Sequence, residues 1–370
     1  MDVADTRLCL LLHSVPGLGD EMLSRLLLHC GGPPGVAGAD RGLWLEAGLT
    51  RAVATALAQA LRSGRAAGFD IDAQLRALAA VDAQVLAVTD PRYPPLLRAI
   101  HDPPPLLYLR GDPTVLAQAQ LAVVGSRRAS HAGLRAASTL AGEAAVAGLQ
   151  ICSGLAQGID GAAHRGALAA GGNTVAVVAT GIDRVYPARH RGLADELLQS
   201  GCMVSEFPPG MQPLKQNFPR RNRVISGLSL GVLVVEAALP SGSLITARTA
   251  LEQDREVFTL PWSIFHAGGA GCLRLLRDGA KLVTGIQDVL EELGQLYAVQ
   301  QQLFPGRATP AREPLTAGQQ QVLDMLGYET ISTDQLGSLS DMPVHRLMAE
   351  LSTLELMGLV SRCPGGYMRC

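Results

Sequence analysis

The densest chemistry in this sequence lies in four short segments. Lys215-Gln216-Asn217-Phe218-Pro219-Arg220-Arg221-Asn222-Arg223 falls in a stretch, 207–235, that holds four basic residues and no Asp or Glu. Cations that neutralise phosphates, with a ring on which a base can stack, are the usual means of holding a single nucleic-acid strand. The competing reading is a solvated charged loop with Phe218 in the core. The other segments are Gly125-Ser126-Arg127-Arg128, Ser153-Gly154-Leu155-Ala156-Gln157-Gly158-Ile159-Asp160 and Ser241-Gly242-Ser243. Small residues let a backbone approach a ligand closely. Amides at helix N-termini favour anions. The stretch 113–142 is also free of acids and adds Arg127, Arg128 and Arg135.

Catalytic signals are sparse. No Gly-x-Ser-x-Gly elbow after a strand frames a nucleophile, and the sequence has no Gly-x-Gly-x-x-Gly after a strand and no Walker-type Gly-Lys-Ser/Thr. Asp160 and His164 are four apart, a spacing that suits capping and packing of a helix. Asp183, His190, Asp195 and Glu206 show no spacing that demands an acid–base set. Glu236 is expected to orient Arg221 or Arg223. The seven cysteines include no Cys-x-x-Cys, and no His pair accompanies them, so zinc templates fail. Scattered thiols in odd number fit a reducing cytosol. The expectation is no catalytic residue, no cofactor and no metal.

The elements that must position these segments alternate along the middle of the chain. Apolar runs at 121–125, 150–153, 174–180, 203–206, 231–237, 256–260 and 281–283 read as strands. The segments 132–147, 161–170, 244–254 and 272–278 read as helices. This alternation predicts a parallel sheet with helices on both faces. Ligands of such sheets bind outside the C-terminal strand ends. Gly125, Ser126 and Arg127, then Ser153 and Gly154, then Ser241, Gly242 and Ser243 would therefore share one edge as a phosphate-lined floor. Lys215, Phe218, Arg221, Asn222 and Arg223 would form a basic strip beside it.

The expected fold class is α/β, with an extended Rossmann-like sheet over 81–298. Residues 1–80 read as helices. There Val15-Pro16-Gly17-Leu18-Gly19-Asp20 forms a tight hairpin of the helix-hairpin-helix or SAM-like kind. A plain helical hairpin is the other reading, since Asp20 and Glu21 would repel a phosphate. The prolines between 91 and 105 mark a turn-rich connector. A Gln- and Pro-rich linker is expected at 299–314. Residues 315–370 read as three helices and a β-ribbon, a winged-helix pattern.

Composition narrows the partners. Hydrophobic residues make up 48% of the chain and aromatics only 4%, so Ala, Val and Leu must fill the core. Net charge is −2, so a nucleic-acid site must be a local patch. Only Lys215 and Lys281 are lysines, which fits a GC-rich coding bias and makes arginine abundance uninformative. The last 56 residues hold six acids against three arginines. Phosphate neutralisation supplies most non-specific DNA affinity, so this winged helix is expected to contact protein. Leu273, Leu275, Leu276 and Val283 concentrate apolar surface at the last strands and are expected to form a twofold dimer interface. The N-terminus lacks the charge and apolar length of a signal peptide. No segment reaches the roughly 20 apolar residues of a membrane span. A cytoplasmic protein without membrane contact is expected.

These motifs resemble the DNA-processing protein A (DprA/Smf) family. The resemblance rests on Gly125-Ser126-Arg127, the Ser153–Asp160 loop with His164, Tyr186-Pro187 with His190, and Ser205-Glu206-Phe207-Pro208. Phe218-Pro219-Arg220-Arg221-Asn222-Arg223 and Ser241-Gly242-Ser243-Leu244-Ile245-Thr246-Ala247 complete it, in order, over about 86–293. It implies an extended Rossmann domain that binds single-stranded DNA as a homodimer. It also implies loading of RecA recombinase in natural transformation, with single-strand-binding protein as a further partner. Arg127, Lys215 and Phe218 would line the DNA pocket. Two positions depart from the pattern: Trp262 follows Pro261 in place of Gly, and Leu273 follows Gly271-Cys272 in place of Asn. An enzymatic alternative is a nucleotide-cleaving phosphoribohydrolase on a related fold. That class carries a Pro-Gly-Gly-x-Gly-Thr loop with a glutamate, whereas this chain has Ser241-Gly242-Ser243-Leu244-Ile245-Thr246. A protein-interaction scaffold is the third option.

Overall fold

Nine strands of the chain join one sheet in the order β1-β2-β6-β5-β4-β3-β7-β8-β9. They are β1 (Ala83–Ala87), β2 (Leu106–Gly111), β3 (Gln120–Val124), β4 (Gln150–Ser153), β5 (Thr174–Val177), β6 (Cys202–Ser205), β7 (Gly231–Val234), β8 (Glu256–Thr259) and β9 (Lys281–Leu282). The seven from β3 to β9 are mutually parallel, as the alternation predicts. The connector read as irregular instead delivers β1 and β2, which pair antiparallel with each other and, through β2, with β6. This is a computed structural model, and it describes residues 3–66, 68–303, 315–326, 331–340, 342–356, 359–363 and 365–369. Most of the expected linker, 304–314, lies outside the described residues.

The central strands are apolar almost throughout because both faces are covered. Successive side chains of β3 enter opposite layers. Leu121 and Val123 pack with Ala137, Ala141 and Ala163 of the helices His131–Val146 and Ile159–Ala169. Ala122 and Val124 face the layer that holds Val224 and Ile225 of the helix Asn217–Leu228. That same layer contains Leu10, Leu23 and Leu57 from the N-terminal helices. The first 80 residues thus share a core with the sheet, inside a unit that spans Met1–Thr309.

The second unit is Pro310–Cys370. Its helices Ala317–Met325, Thr333–Leu339 and Val344–Leu356 precede a ribbon of Val360–Cys363 and Gly366–Arg369. Thr316 with Gln319, and Ser332 with Gln335, form reciprocal capping boxes that fix two helix starts. Leu336, Leu347, Leu351 and Tyr367 fill its core.

Candidate nucleic-acid interface

The strand order reverses beside β3, whose neighbours are β4 on one side and β7 on the other. A crevice opens outside the strand ends at such a point. Here it is a cleft of about 370 Å³. Gly125, Ser126 and Arg127 line it from the end of β3, and Ser241, Gly242 and Ser243 from the loop after β7. The third wall is the helix Asn217–Leu228, in a segment that the sequence left as a basic strip. Phe218, Arg221, Asn222 and Ile225 recur at helical spacing and present one face to the cleft.

Phe218 is half-buried and belongs to the cleft rather than the core. The Arg127 guanidinium lies 4.8 Å from its ring centroid. The Tyr186 ring meets it edge-on, with centroids 6.1 Å apart and planes at 61°. Arg127 and Lys215 are exposed and form no ion pair among the described residues. Lys281, the other lysine, is taken by Glu292 at 3.0 Å. The Ser243 hydroxyl and amide are both engaged by the Ser241 Oγ, which caps the helix Gly242–Glu252.

Four expected site residues stand apart from the cleft lining, among them Lys215, which is exposed just before the helix Asn217–Leu228. Ser153 is buried and donates its hydroxyl to the Val123 carbonyl at 2.6 Å. Gly154 gives space to the Arg221 head, into which a Cβ would collide. Arg223 donates to Glu206 at 2.6 Å and pairs with Asp102 at 3.3 Å. Arg221 is present at the cleft but is itself buried, and donates to the Val177 carbonyl at 2.6 Å. Burial pushes the Asp160 carboxyl upward against the pull of Arg221. Burial likewise lowers the Arg221 guanidinium, while Asp160 opposes that shift. The two lie beneath the floor, Asp160 accepting from the Ala156 amide at 3.3 Å and Arg221 held by Val177.

The glycines have a different use from the one expected. A Cβ on Gly125 would strike Ile159 and the Glu236 carbonyl, and one on Gly158 would strike Ser126. The Ser126 amide donates to the Glu236 carbonyl at 2.7 Å, and the Ile159 amide to the Ser126 carbonyl at 3.2 Å. These small residues let three loops lie against one another, so the Ser126 amide is not offered to a phosphate. Glu236 orients neither Arg221 nor Arg223. Its carboxylate accepts from the Ser130 hydroxyl at 2.5 Å and the Ser130 amide at 3.1 Å, securing the start of the helix His131–Val146. His164 is fully buried and donates Nδ1–H to Thr174 Oγ1, whose own proton goes to the Ile151 carbonyl. Burial takes its pKa down to about 3, so it stays neutral.

Residues 84–294 match the family described as DNA recombination-mediator protein A, and 306–366 match the DprA winged helix domain. The chain belongs to the DNA recombination-mediator protein A family. Protein Smf of Escherichia coli K12 is 44% identical over 279 residues, which is 75% of either chain. The DNA processing protein DprA of Streptococcus pneumoniae R6 is 46% identical over 210 residues, 56% of this chain and 73% of that one. The X-ray structure of DprA from S. pneumoniae superposes with a TM-score of 0.66 at 36% identity, covering 79% of this chain and 99% of the other. A DprA structure from Helicobacter pylori, described for its single-stranded DNA binding mode, gives 0.53 at 31% identity, over 58% and 97%.

Within this family frame, Trp262 and Leu273 occupy positions away from the cleft lining. Trp262 donates Nε1–H to the Val235 carbonyl at 2.7 Å and covers Gly269. Leu273, Leu275 and Leu276 are half-buried on the helix Ala270–Arg277. Val283, grouped with them from sequence, lies wholly inside the sheet's own core and supports that edge from within. Sequence reasoning left Tyr186, Ile225, Pro240 and Thr246 out of the site. A helical reading of 217–228 would have exposed the common face of Phe218 and Ile225.

Proposed function

We propose that this protein binds single-stranded DNA in the cleft between β3 and β7, in the cytoplasm, without catalysing a reaction on it. The observation that carries this reading is the half-exposed Phe218 ring, with Arg127 and Tyr186 against it, at the mouth of a recess whose lining offers the exposed cation Arg127, with Lys215 exposed just ahead of the same helix. Ring and cations suit base stacking and phosphate contact without sequence readout. The H. pylori relative's single-stranded DNA binding supports it. The carboxylates nearest the cleft, Asp160 and Glu236, are buried and hydrogen-bonded within the protein, which disfavours the phosphoribohydrolase reading.

The bound strand is then handed to RecA recombinase during transformation and recombination, past single-strand-binding protein. A homodimer forms through the open edge at β9, where Leu282 is exposed and Leu273, Leu275 and Leu276 lie on the adjoining helix. The acidic winged helix serves as a protein contact. Fluorescence anisotropy with a labelled oligothymidine tests the cleft. Saturable binding that weakens with salt is expected, and absence of binding at low salt would overturn the reading. RecA filament growth on DNA coated with single-strand-binding protein tests the hand-over. Growth no faster with this protein than without it would remove that step.

A further inference from the structure

A second aromatic residue stands on the same edge of the sheet as the cleft, in the loop after β8. Ile264 is 80% exposed and Phe265 92% exposed, the two most exposed large apolar side chains among those described. The loop that carries them is braced on both sides of this pair. The Phe265 and His266 amides donate to Ser263 Oγ and Ser263 O, at 3.3 and 2.9 Å, making a tight turn with the two apolar residues at its tip. Trp262 stacks on His266 with centroids 4.4 Å apart, and bonds to Val235. The Gly271 amide donates to the Ala237 carbonyl at 2.7 Å. The loop is therefore fastened to Val235 and Ala237, and the next residue along, Ala238, lines the cleft.

Charge follows the same pattern as in the cleft. Residues 257–277 contain no Asp or Glu; of their two arginines, Arg274 pairs with Asp278 at 3.5 Å and Arg277 is exposed. An acid-free stretch with bases and a projecting ring is also what distinguishes Lys215–Arg223. Strands β3, β7 and β8 are consecutive neighbours. At about 4.8 Å per strand, the tip falls roughly 10 Å along the edge from the cleft. That is within the run of about 4–16 nucleotides covered by comparable single-strand sites.

We infer that the Ile264–Phe265 tip is a second stacking platform, which receives bases of a single strand after it leaves the cleft. The inference rests on the cleft being a single-strand site. A second copy of the chain would be the other occupant of an apolar tip. Continuity with the cleft, and the acid-free flank, favour the nucleic acid.

The test measures anisotropy with labelled oligothymidines of about 3 and about 20 nucleotides, the first too short to occupy the cleft and a tip roughly 10 Å away together, the second long enough for both. Phe265→Ala should leave affinity for the short oligonucleotide unchanged and weaken the long one several-fold. Phe265→Tyr, which keeps a ring, should restore it. Phe218→Ala should weaken both lengths. An equal loss at both lengths for Phe265→Ala, or none at either, overturns the platform. So does a shift to slower sedimentation in that variant, which would assign the tip to a second copy. If wild-type protein binds neither length, the cleft reading itself has failed.

Discussion

The two faces of the helix Asn217–Leu228 take neighbouring residues of one basic segment to different ends. On one face, Phe218 and Asn222 open into the cleft, with Arg127 across from them. On the other, Arg220 and Arg223 converge on the buried Glu206, and Arg220 reaches Asp20 of the N-terminal hairpin at 2.5 Å. Read as a string, the segment is four cations available for phosphate. In the fold only Lys215 remains exposed and unpaired, Arg221 props the floor, and the other two hold the sheet to the N-terminal helices. Basic residues in a binding motif therefore need to be sorted by partner before they are counted as ligand contacts.

Removing the acid that holds the inner face should have the largest effect. Glu206→Ala leaves Arg223, nearly buried, without its closest carboxylate, and should cost about 3 kcal/mol of stability. Urea unfolding measures this. Oligothymidine affinity of the folded protein should be unchanged, and a parallel loss of affinity would erase the distinction between the faces. Phe218→Ala should act in the opposite sense. It should weaken single-strand binding by about 1–3 kcal/mol with little change in salt dependence, since stacking releases no counterion. A large stability loss with unchanged affinity would return the ring to the core.

Arg127→Ala and Lys215→Ala should each weaken binding several-fold for every base sequence. Each should also flatten the plot of log K against log salt by about 0.7. Arg220→Ala should leave that slope alone. It should lower stability by only about 0.5–1 kcal/mol, because its head is partly exposed. Its signature is in acid. Burial alone would raise the Asp20 pKa, but His13 and Arg220 outweigh it and bring it down to about 2. A carboxylate lowered in the folded state adds stability that is full above about pH 4, and is lost as pH falls toward 2. Unfolding midpoints of wild type and Arg220→Ala should therefore converge below pH 4 and separate above it.

Much of this arrangement was legible beforehand. The seven parallel strands were placed to within about three residues, because buried strands are continuous apolar runs between glycine-rich turns. Strands β1 and β2 were hidden by the prolines around them, Pro91 to Pro105, which read as a connector. The helix Asn217–Leu228 was hidden by its own polarity and by Pro219, which is tolerated within the first turn of a helix. Without it, Phe218 and Ile225 had no reason to share a face with Asn222. Glu236 was legible as a buried carboxylate, but not as the partner of Ser130, because that contact joins residues 106 positions apart. Asp20 was noted for repelling phosphate. Its pairing with Arg220 spans 200 positions and needed the tertiary structure.

The interlocked loops at the cleft have a consequence for the thermodynamics of capture. Backbone bonds from Ser126 to Glu236 and from Ile159 to Ser126 tie the ends of β3, β4 and β7 into one frame before any strand arrives. Such a recess is preorganised, so little protein entropy remains to be lost on association. The ordering penalty falls on the nucleic acid, whose bases must unstack from one another and settle on the ring. Affinity should then track how readily a given strand unstacks: a flexible pyrimidine run enters at low cost, and a stacked purine run resists.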